Sequence, residues 1–279
     1  MIQKIAFISD IHGNLEALNT VLEDIKRKNV DKIFCLGDIV AKGKNIEECV
    51  KIIKKECDVV IKGNCDEFVT KEQDLEKLGK LNATRYVYNR SKLSDESLKY
   101  LANLPFCYEF YMSGRFVRLF HATPDKIERV VINEYTIPEK YTLFLPSENT
   151  ISDKVCDIAI YGHIHHQYMN KLYNKTLINV GSVGNSFDVI RNEEKDSDVY
   201  NTTQAHYVII TGDFGSKEEG DITFSFESVK YDMDKELENQ EGNNIEVENY
   251  IYEMRNGIYR NMEKVKEANL AHGINMDEF

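Results

Sequence analysis

The sequence predicts an α/β fold whose first half alternates strands with helices and whose second half is rich in strands. Two observations carry that reading. Up to Asn64, short apolar runs alternate with stretches of helical periodicity, which is the signature of successive βα units. From Pro105 onward, short runs rich in β-branched and aromatic residues follow one another across turn residues.

The elements follow in order. Lys4–Ser9 is an apolar run ending at Asp10, and Leu15, Leu18, Val21, Leu22 and Ile25 then recur at helical spacing. A strand over Lys32–Leu36, a loop over Gly37–Lys44 and a helix over Ile46–Lys55 repeat the pattern, and a third strand, Asp58–Lys62, ends at Gly63-Asn64. Residues 66–103 read as helices capping the sheet, with Leu75, Leu78 and Leu81 on one stripe and Ser94–Leu104 as a second helix. Strands are then expected at Cys107–Met112, Phe116–Phe120 (after a Ser113-Gly114 turn), Ile158–Tyr161, Thr176–Val180, His206–Thr211 and Ile222–Val229. Asn192–Thr203 is polar, charged and aperiodic, and reads as a mobile excursion between two strands. From about Asp232 the texture changes again. Val247, Tyr250, Ile251, Met254, Ile258 and Met262 recur at helical spacing, so residues 1–230 are expected to form the catalytic domain and 231–279 a C-terminal helical extension.

Composition narrows the class. The chain has 279 residues, 42% hydrophobic and 29% charged, which is enough to bury a sizeable core. A net charge of −12 argues against a sequence-independent grip on a nucleic-acid polymer, which depends on Lys and Arg neutralising phosphates. A small phosphorylated or nucleotide substrate is compatible with it, because bound cations can reverse the potential of a site locally. The six cysteines, Cys35, Cys49, Cys57, Cys65, Cys107 and Cys156, are scattered without a C-x-x-C pair, as in a reduced, cytoplasmic protein. No secretory signal and no run of about 18 apolar residues is visible, so a membrane location is not expected.

The residues that carry chemistry stand at strand ends. Asp10-x-His12, Gly37-Asp38 and Gly63-Asn64 close the first three predicted strands, where ligands favour the carboxyl edge of an open sheet. The glycines are expected to let the backbone turn sharply before each polar residue. His121 and Gly162-His163-x-His165 repeat that placement in the second half. Carboxylate, amide and imidazole together suit manganese, iron or zinc, and seven ligands are too many for one ion. With one shared carboxylate, each of two metals would have four protein ligands and keep positions for a bridging hydroxide and a substrate oxygen.

In this order the motifs Asp10-Ile11-His12, Gly37-Asp38, Gly63-Asn64-Cys65-Asp66, His121 and Gly162-His163-Ile164-His165 resemble those of the calcineurin-like metallophosphoesterase superfamily. The likeness spans roughly residues 1–230. Asp10-Ile11-His12-Gly13-Asn14, Gly37-Asp38-Ile39-Val40 and Asn179-Val180-Gly181-Ser182-Val183-Gly184 look like its compact bacterial and archaeal phosphodiesterase branch. The resemblance implies a four-layer αββα sandwich. It also implies that Asp10, His12 and His165 hold one metal, that Asn64, His121 and His163 hold the other, and that Asp38 bridges.

Many relatives carry a His after the metal-binding Asn, thought to protonate the leaving group with help from the following acid; this chain has Cys65 there. A thiol with an ordinary pKa of about 8.5 lacks the imidazole's reach and its pKa near neutrality. We read Cys65 as a small residue packing the loop in preference to a general acid, which leaves the role of Asp66 open. His166 points away from its neighbour in an extended segment, and His206 and His272 read as structural or exposed. Tyr252, Arg255 and Tyr259, beside Arg260, form a second face of the C-terminal helix, read as packing on the sandwich in preference to a lid or dimer arm.

The expected function is hydrolysis of phosphodiester or phosphoanhydride bonds by attack of a metal-bridging hydroxide. The C-terminal extension resembles that of bacterial relatives associated with diadenosine tetraphosphate hydrolysis. A Ser/Thr phosphoprotein phosphatase and a metal-binding scaffold with weak turnover are the alternatives, while a nuclease lacks an evident basic groove. Some relatives are dimers, so the resemblance also allows a homodimer.

Overall fold

The computed structural model describes residues 1–192, 195–201, 204–238, 240 and 245–256. It opens with β1 (Ile2–Ile8), α1 (Leu15–Arg27), β2 (Lys32–Cys35), α2 (Ile46–Glu56) and β3 (Val59–Val60). Three helices follow, α3 (Asn64–Thr70), α4 (Gly79–Lys92) and α5 (Asp95–Ala102). The strand-rich half contains β4 (Cys107–Met112), β5 (Arg115–Phe120), the short α6 (Ile137–Tyr141), β6 (Ile158–Tyr161), β7 (Tyr168–Leu172) and β8 (Lys175–Asn179). Then come β9 (Phe187–Asn192), β10 (Lys195–Asn201), β11 (Gln204–Asp213) and β12 (Thr223–Lys230), and finally α7 (Met233–Glu238) and α8 (Ile245–Asn256).

Two five-stranded mixed sheets stack face to face. One runs β12-β11-β1-β2-β3 and the other β4-β5-β6-β8-β7. β1, β2 and β3 are parallel, as are β5, β6 and β8, so each sheet directs several strand C-termini to one edge. The period-two alternation of β1 sorts its side chains between layers. Ile5 and Phe7 enter the inter-sheet core with Phe34, Val208, Phe110, Leu119 and Ile160, while Ala6 and Ile8 face α1 and α2 through Leu18, Val21, Val50 and Ile53. The opposite face of the second sheet is covered by Val131, Leu143 and Phe144 against Phe116, Phe120, Tyr161 and Leu177. Helix layer, sheet, sheet and outer layer thus make the αββα sandwich. Helices α1 and α5 start on polar caps: the Asn14 side chain accepts from Ala17 N–H and that of Ser94 from Ser97 N–H.

Several expectations need correction. Leu75 is exposed and, with Leu78, precedes α4 in an irregular segment, so the stripe drawn through Leu75, Leu78 and Leu81 is not one helix face. Periodicity misled here because apolar residues three apart also occur in successive turns. Asn192–Thr203 is not an irregular excursion: β9 and β10 pair antiparallel from Lys195–Asn192 to Asn201–Phe187. The polar and charged residues of Lys195–Asn201 hid a two-stranded ribbon. β7, paired with β8 across a Tyr173 turn, was not expected: its two buried side chains, Tyr168 and Leu172, stand four residues apart, and Met169 and Lys171 between them are exposed. The third strand is only Val59–Val60, shorter than Asp58–Lys62.

Candidate metal centre

The strand ends converge as the sequence suggested. Asp10 and His12 follow β1, Asp38 follows β2, Asn64 follows β3 and opens α3, His121 follows β5, and His163 and His165 follow β6. Backbone bonds lock these loops together: Asp10 N–H donates to Gly37 C=O at 3.0 Å, His12 N–H to Asp38 C=O at 3.1 Å, and Gly162 N–H to His121 C=O at 2.9 Å. The His163 N–H donation to Asp10 Oδ2 at 2.9 Å joins the two sheets' contributions. Asp10, His12, Asp38, His163 and His165 all have φ between 50° and 65°, the left-handed region that side-chain-bearing residues seldom occupy. Such strain persists only where the surroundings over-determine it, and it concentrates at functional sites.

Two groups of ligand atoms form. Asp10, His12 and His165 bring theirs within 4.8 Å of one another, and so do Asp38, His121 and His163. Asp38 stands between them, its Oδ2 at 3.8 Å from His12 Nε2 and its Oδ1 at 3.5 Å from His121 Nε2. Asn64 Oδ1 lies 3.0 Å from His121 Nε2 and so adds an amide to the second group.

The hydrogen bonds of the imidazoles test whether cations fit. His12 Nδ1 faces Val40 C=O at 3.1 Å, His165 Nδ1 faces Asn185 C=O at 2.7 Å, and His121 Nδ1 faces Leu36 C=O at 2.8 Å. A carbonyl only accepts, so each of these nitrogens carries the proton, and the Nε2 of the neutral ring is a bare lone pair. His163 is reversed: its Nε2 faces Glu128 C=O at 3.1 Å, which leaves Nδ1 bare. His12 Nε2 and His165 Nε2 consequently confront each other at 3.0 Å, beside a buried Asp10 Oδ1 with no hydrogen-bond partner among the described residues. Lone pairs meeting at one point without a proton between them suit a metal cation.

The electrostatics agree. Burial, with Lys42 second, pushes the His12 pKa down to about 3, and burial, with the His121 charge second, takes His163 to about 4. Both rings are therefore neutral at pH 7, as metal ligation requires. Burial alone would raise the Asp10 carboxyl, yet the His165 imidazole, then His121, hold it at about 2. Asp38 likewise stays well below the usual carboxylate range because His121 outweighs its burial. The same pair raises His121 to about 9 against its own burial, so this ring is protonated at pH 7 while no cation is bound, and its Nε2 becomes a bare lone pair only when a cation displaces that proton.

The residues after Asn64 separate. Asp66 is fully buried and its carboxylate accepts from Asp38 N–H at 2.9 Å, Gly63 N–H at 3.0 Å and Ile39 N–H at 3.0 Å. It clamps the Asp38 loop, a task the sequence did not reveal. Cys65 donates its backbone N–H to Asp38 Oδ1 at 2.7 Å, and its Sγ lies within 4.8 Å of ligand atoms of His12 and Asp38. Burial, then the Asp38 charge, push its thiol pKa well up.

The glycines act in two ways. Gly37 has φ 94° and provides the sharp turn expected before Asp38. Gly63 does not turn in that sense: its need is space, since a Cβ there would lie 2.1 Å from Asp38 N. The Asn179–Gly184 segment braces the Asp10 loop, with Ser182 Oγ donating to Asp10 C=O at 2.7 Å and Gly184 N–H to the same oxygen at 3.0 Å.

His166 is half-buried against Tyr168 and Phe187, and His206 is buried within β11; neither joins a ligand group. His272, Ile258, Tyr259, Arg260 and Met262 lie outside the described residues. Arg255 is exposed on α8, whereas Glu246, Asn249, Tyr250 and Glu253 line a cavity that reaches Asn64. No described helix is long and apolar enough to cross a membrane.

Residues 3–193 match the calcineurin-like phosphoesterase superfamily domain. An uncharacterised protein of Methanocaldococcus jannaschii is 34% identical over 251 residues, covering 84% of this chain and 90% of its own. Among solved structures, a metallophosphoesterase from Sphaerobacter thermophilus shares the fold with a TM-score of 0.64 at 21% identity, over 92% of this chain and 99% of its own. A hypothetical protein from Pyrococcus horikoshii OT3 does so with a TM-score of 0.67 at 17% identity, over 92% and 98%.

Proposed function

The chain belongs to the calcineurin-like phosphoesterase superfamily, and from that premise we propose that it hydrolyses phosphodiester or phosphoanhydride bonds at a two-metal centre. Asp10, His12 and His165 would hold one ion, Asn64, His121 and His163 the other, and Asp38 both. The observation that carries this reading is the convergence of bare imidazole nitrogens on the buried carboxylates of Asp10 and Asp38. Manganese, iron and zinc all accept such ligands, and when bound the pair would supply Lewis acidity and a water activated for attack. Residues 1–230 would form the catalytic unit and 231–279 its extension.

The chain's own residues then decide the substrate. Neutral His12 and His163 keep their lone pairs for the ions, and their carbonyl partners fix each ring's tautomer and direction. The Asn64 amide can also present its N–H to a phosphoryl oxygen. No imidazole follows Asn64, the Cys65 thiol holds its proton tightly, and Asp66 is spent on backbone N–H groups. A substrate whose leaving group needs no protonation is therefore favoured: a nucleotide phosphate leaving from an anhydride, as in a dinucleoside polyphosphate such as diadenosine tetraphosphate, or an acidic alcohol leaving from a diester. Unactivated alkyl monoesters should react poorly.

With added manganese, Asp38→Ala and His163→Ala should each lower kcat/KM for bis-p-nitrophenyl phosphate by roughly 100-fold or more. Undiminished turnover would sink the proposal. A panel of diadenosine tetraphosphate, cyclic nucleotides and phosphopeptides, ranked by kcat/KM, separates anhydride, diester and phosphoprotein substrates.

A further inference from the structure

Beside the candidate metal centre lies a cavity of about 510 Å³, bordered by Asn64 and Cys65 at one end and roofed by α8. Its size is that of a small-molecule site, for which roughly 300–1,000 Å³ is usual. Phe68, Ile127 and Tyr250 give it apolar walls.

Three of its polar atoms are buried without a hydrogen-bond partner among the described residues: Arg85 Nε, Asn89 Oδ1 and Asn249 Oδ1. Asn89 is 1% exposed and Asn249 7%. The orientation of Asn89 is fixed, because its Nδ2 donates to Arg85 C=O at 2.8 Å and to Glu246 Oε2 at 2.7 Å. The Glu246 carboxylate is further occupied by Lys42 N–H at 3.2 Å. Buried polar atoms ordinarily find partners, and leaving one unmade is costly, so three around one cavity mark the positions of a ligand's complementary groups.

The complement is specific. Two amide oxygens ask for two N–H or O–H donors, and Arg85 Nε–H asks for one acceptor. A second phosphate offers acceptors only. Nor does charge invite one: three cations, Lys42, Lys71 and Arg85, stand against four lining carboxylates. A flat, neutral heterocycle bearing an amino group supplies donors and ring acceptors together and can lay a face on Phe68.

We propose that this cavity binds an amino-bearing nucleobase, read by Asn89, Asn249 and Arg85, of a nucleotide whose phosphate sits at the metal centre. The position of the phosphate rests on the phosphoesterase reading above; the recognition of the base does not.

Nucleoside binding therefore tests it without turnover. Calorimetric titration of the full chain, with and without chelator, would compare adenosine, guanosine and cytidine with their counterparts lacking the amino group: purine riboside, inosine and uridine. Ribose serves as a control. At least one amino-bearing nucleoside should bind ten-fold or more tightly than its counterpart and than ribose, and should keep its affinity in chelator. Asn249→Leu should weaken that binding about ten-fold. Equal binding of each pair, binding no tighter than ribose, or an unchanged affinity in folded Asn249→Leu would overturn the proposal. The nucleoside pairs decide the matter on the unaltered chain should the variant fail to fold. Loss of bis-p-nitrophenyl phosphate turnover with intact nucleoside binding would instead count against the phosphoesterase reading alone.

Discussion

At the scale of single residues, Asp66 shows how a carboxylate beside a catalytic motif can serve geometry. Its oxygens satisfy the N–H groups of Asp38, Ile39 and Gly63, and burial, then the Asp38 charge, raise its pKa to about 6. Asp66→Ala leaves three buried donors unsatisfied and should destabilise the fold by roughly 2–4 kcal/mol in urea unfolding. Metal content should fall with it, because the Asp38 loop loses its anchor. The convergence of the candidate ligands was legible in the sequence, since each sits at a strand end in a recognisable order. The role of Asp66 was not, because nothing in Gly63-Asn64-Cys65-Asp66 says that the acid turns back onto a loop 28 residues earlier in the chain.

Elements are held by polar residues whose partners are distant in sequence. Arg118 on β5 is fully buried: its Nε donates to Glu109 at 2.6 Å, and its Nη groups donate to the carbonyls of Phe144, Leu145, Ser152 and Lys154. It fastens the segment after α6 to the outer face of its sheet. Arg118→Ala leaves a buried carboxylate unpaired and should cost roughly 3–5 kcal/mol, read as a lowered urea midpoint.

The joint between α7 and α1 depends on protonation. Glu236 is buried, receives Glu16 N–H at 3.4 Å at the start of α1 and Gln240 Nε2 at 2.7 Å, and lies near Lys44. Burial, with the Glu16 charge adding to it, lifts its carboxyl from 4.5 to about 7. An acid with a raised folded-state pKa contributes stability that is complete below pH 4.5 and is lost as pH rises through 7. Glu236→Gln should therefore flatten the pH dependence of the thermal midpoint between these values and raise that midpoint at pH 8. Sequence periodicity located α1 and α2 through their apolar buried stripes and α8 through Val247, Tyr250 and Met254, although α8 also buries Glu246, Asn249 and Glu253. It failed for β7, in which only Tyr168 and Leu172 are buried, and for the β9–β10 pair, whose second strand is mostly polar in sequence.

In the whole molecule the two sheets meet in an apolar core and again at the candidate metal centre. Asp10, His12, Asp38 and Asn64 follow strands of one sheet, and His121, His163 and His165 follow strands of the other. Metals that bind only the folded state stabilise it by about 4 kcal/mol at a thousand times their dissociation constant. Chelation should accordingly lower the thermal midpoint, and manganese should restore it in the wild type but not in Asp38→Ala. An unchanged midpoint on complete metal removal would show that the sheets need no help from the ions.

That straddling arrangement also orders events in time. The candidate ligands span the chain from Asp10 to His165, and neither the group of Asp10, His12 and His165 nor that of Asp38, His121 and His163 is complete within one sheet. A nascent chain therefore completes neither of these two groups until both sheets have docked, whereas His12, Asp38 and Cys65 gather from the first sheet alone. Under the two-ion reading proposed above, loading of the complete pair would come last, onto an architecture already closed, and the identity of the ions would be set by the metal pool that the finished protein meets, not by the one present while it is being made.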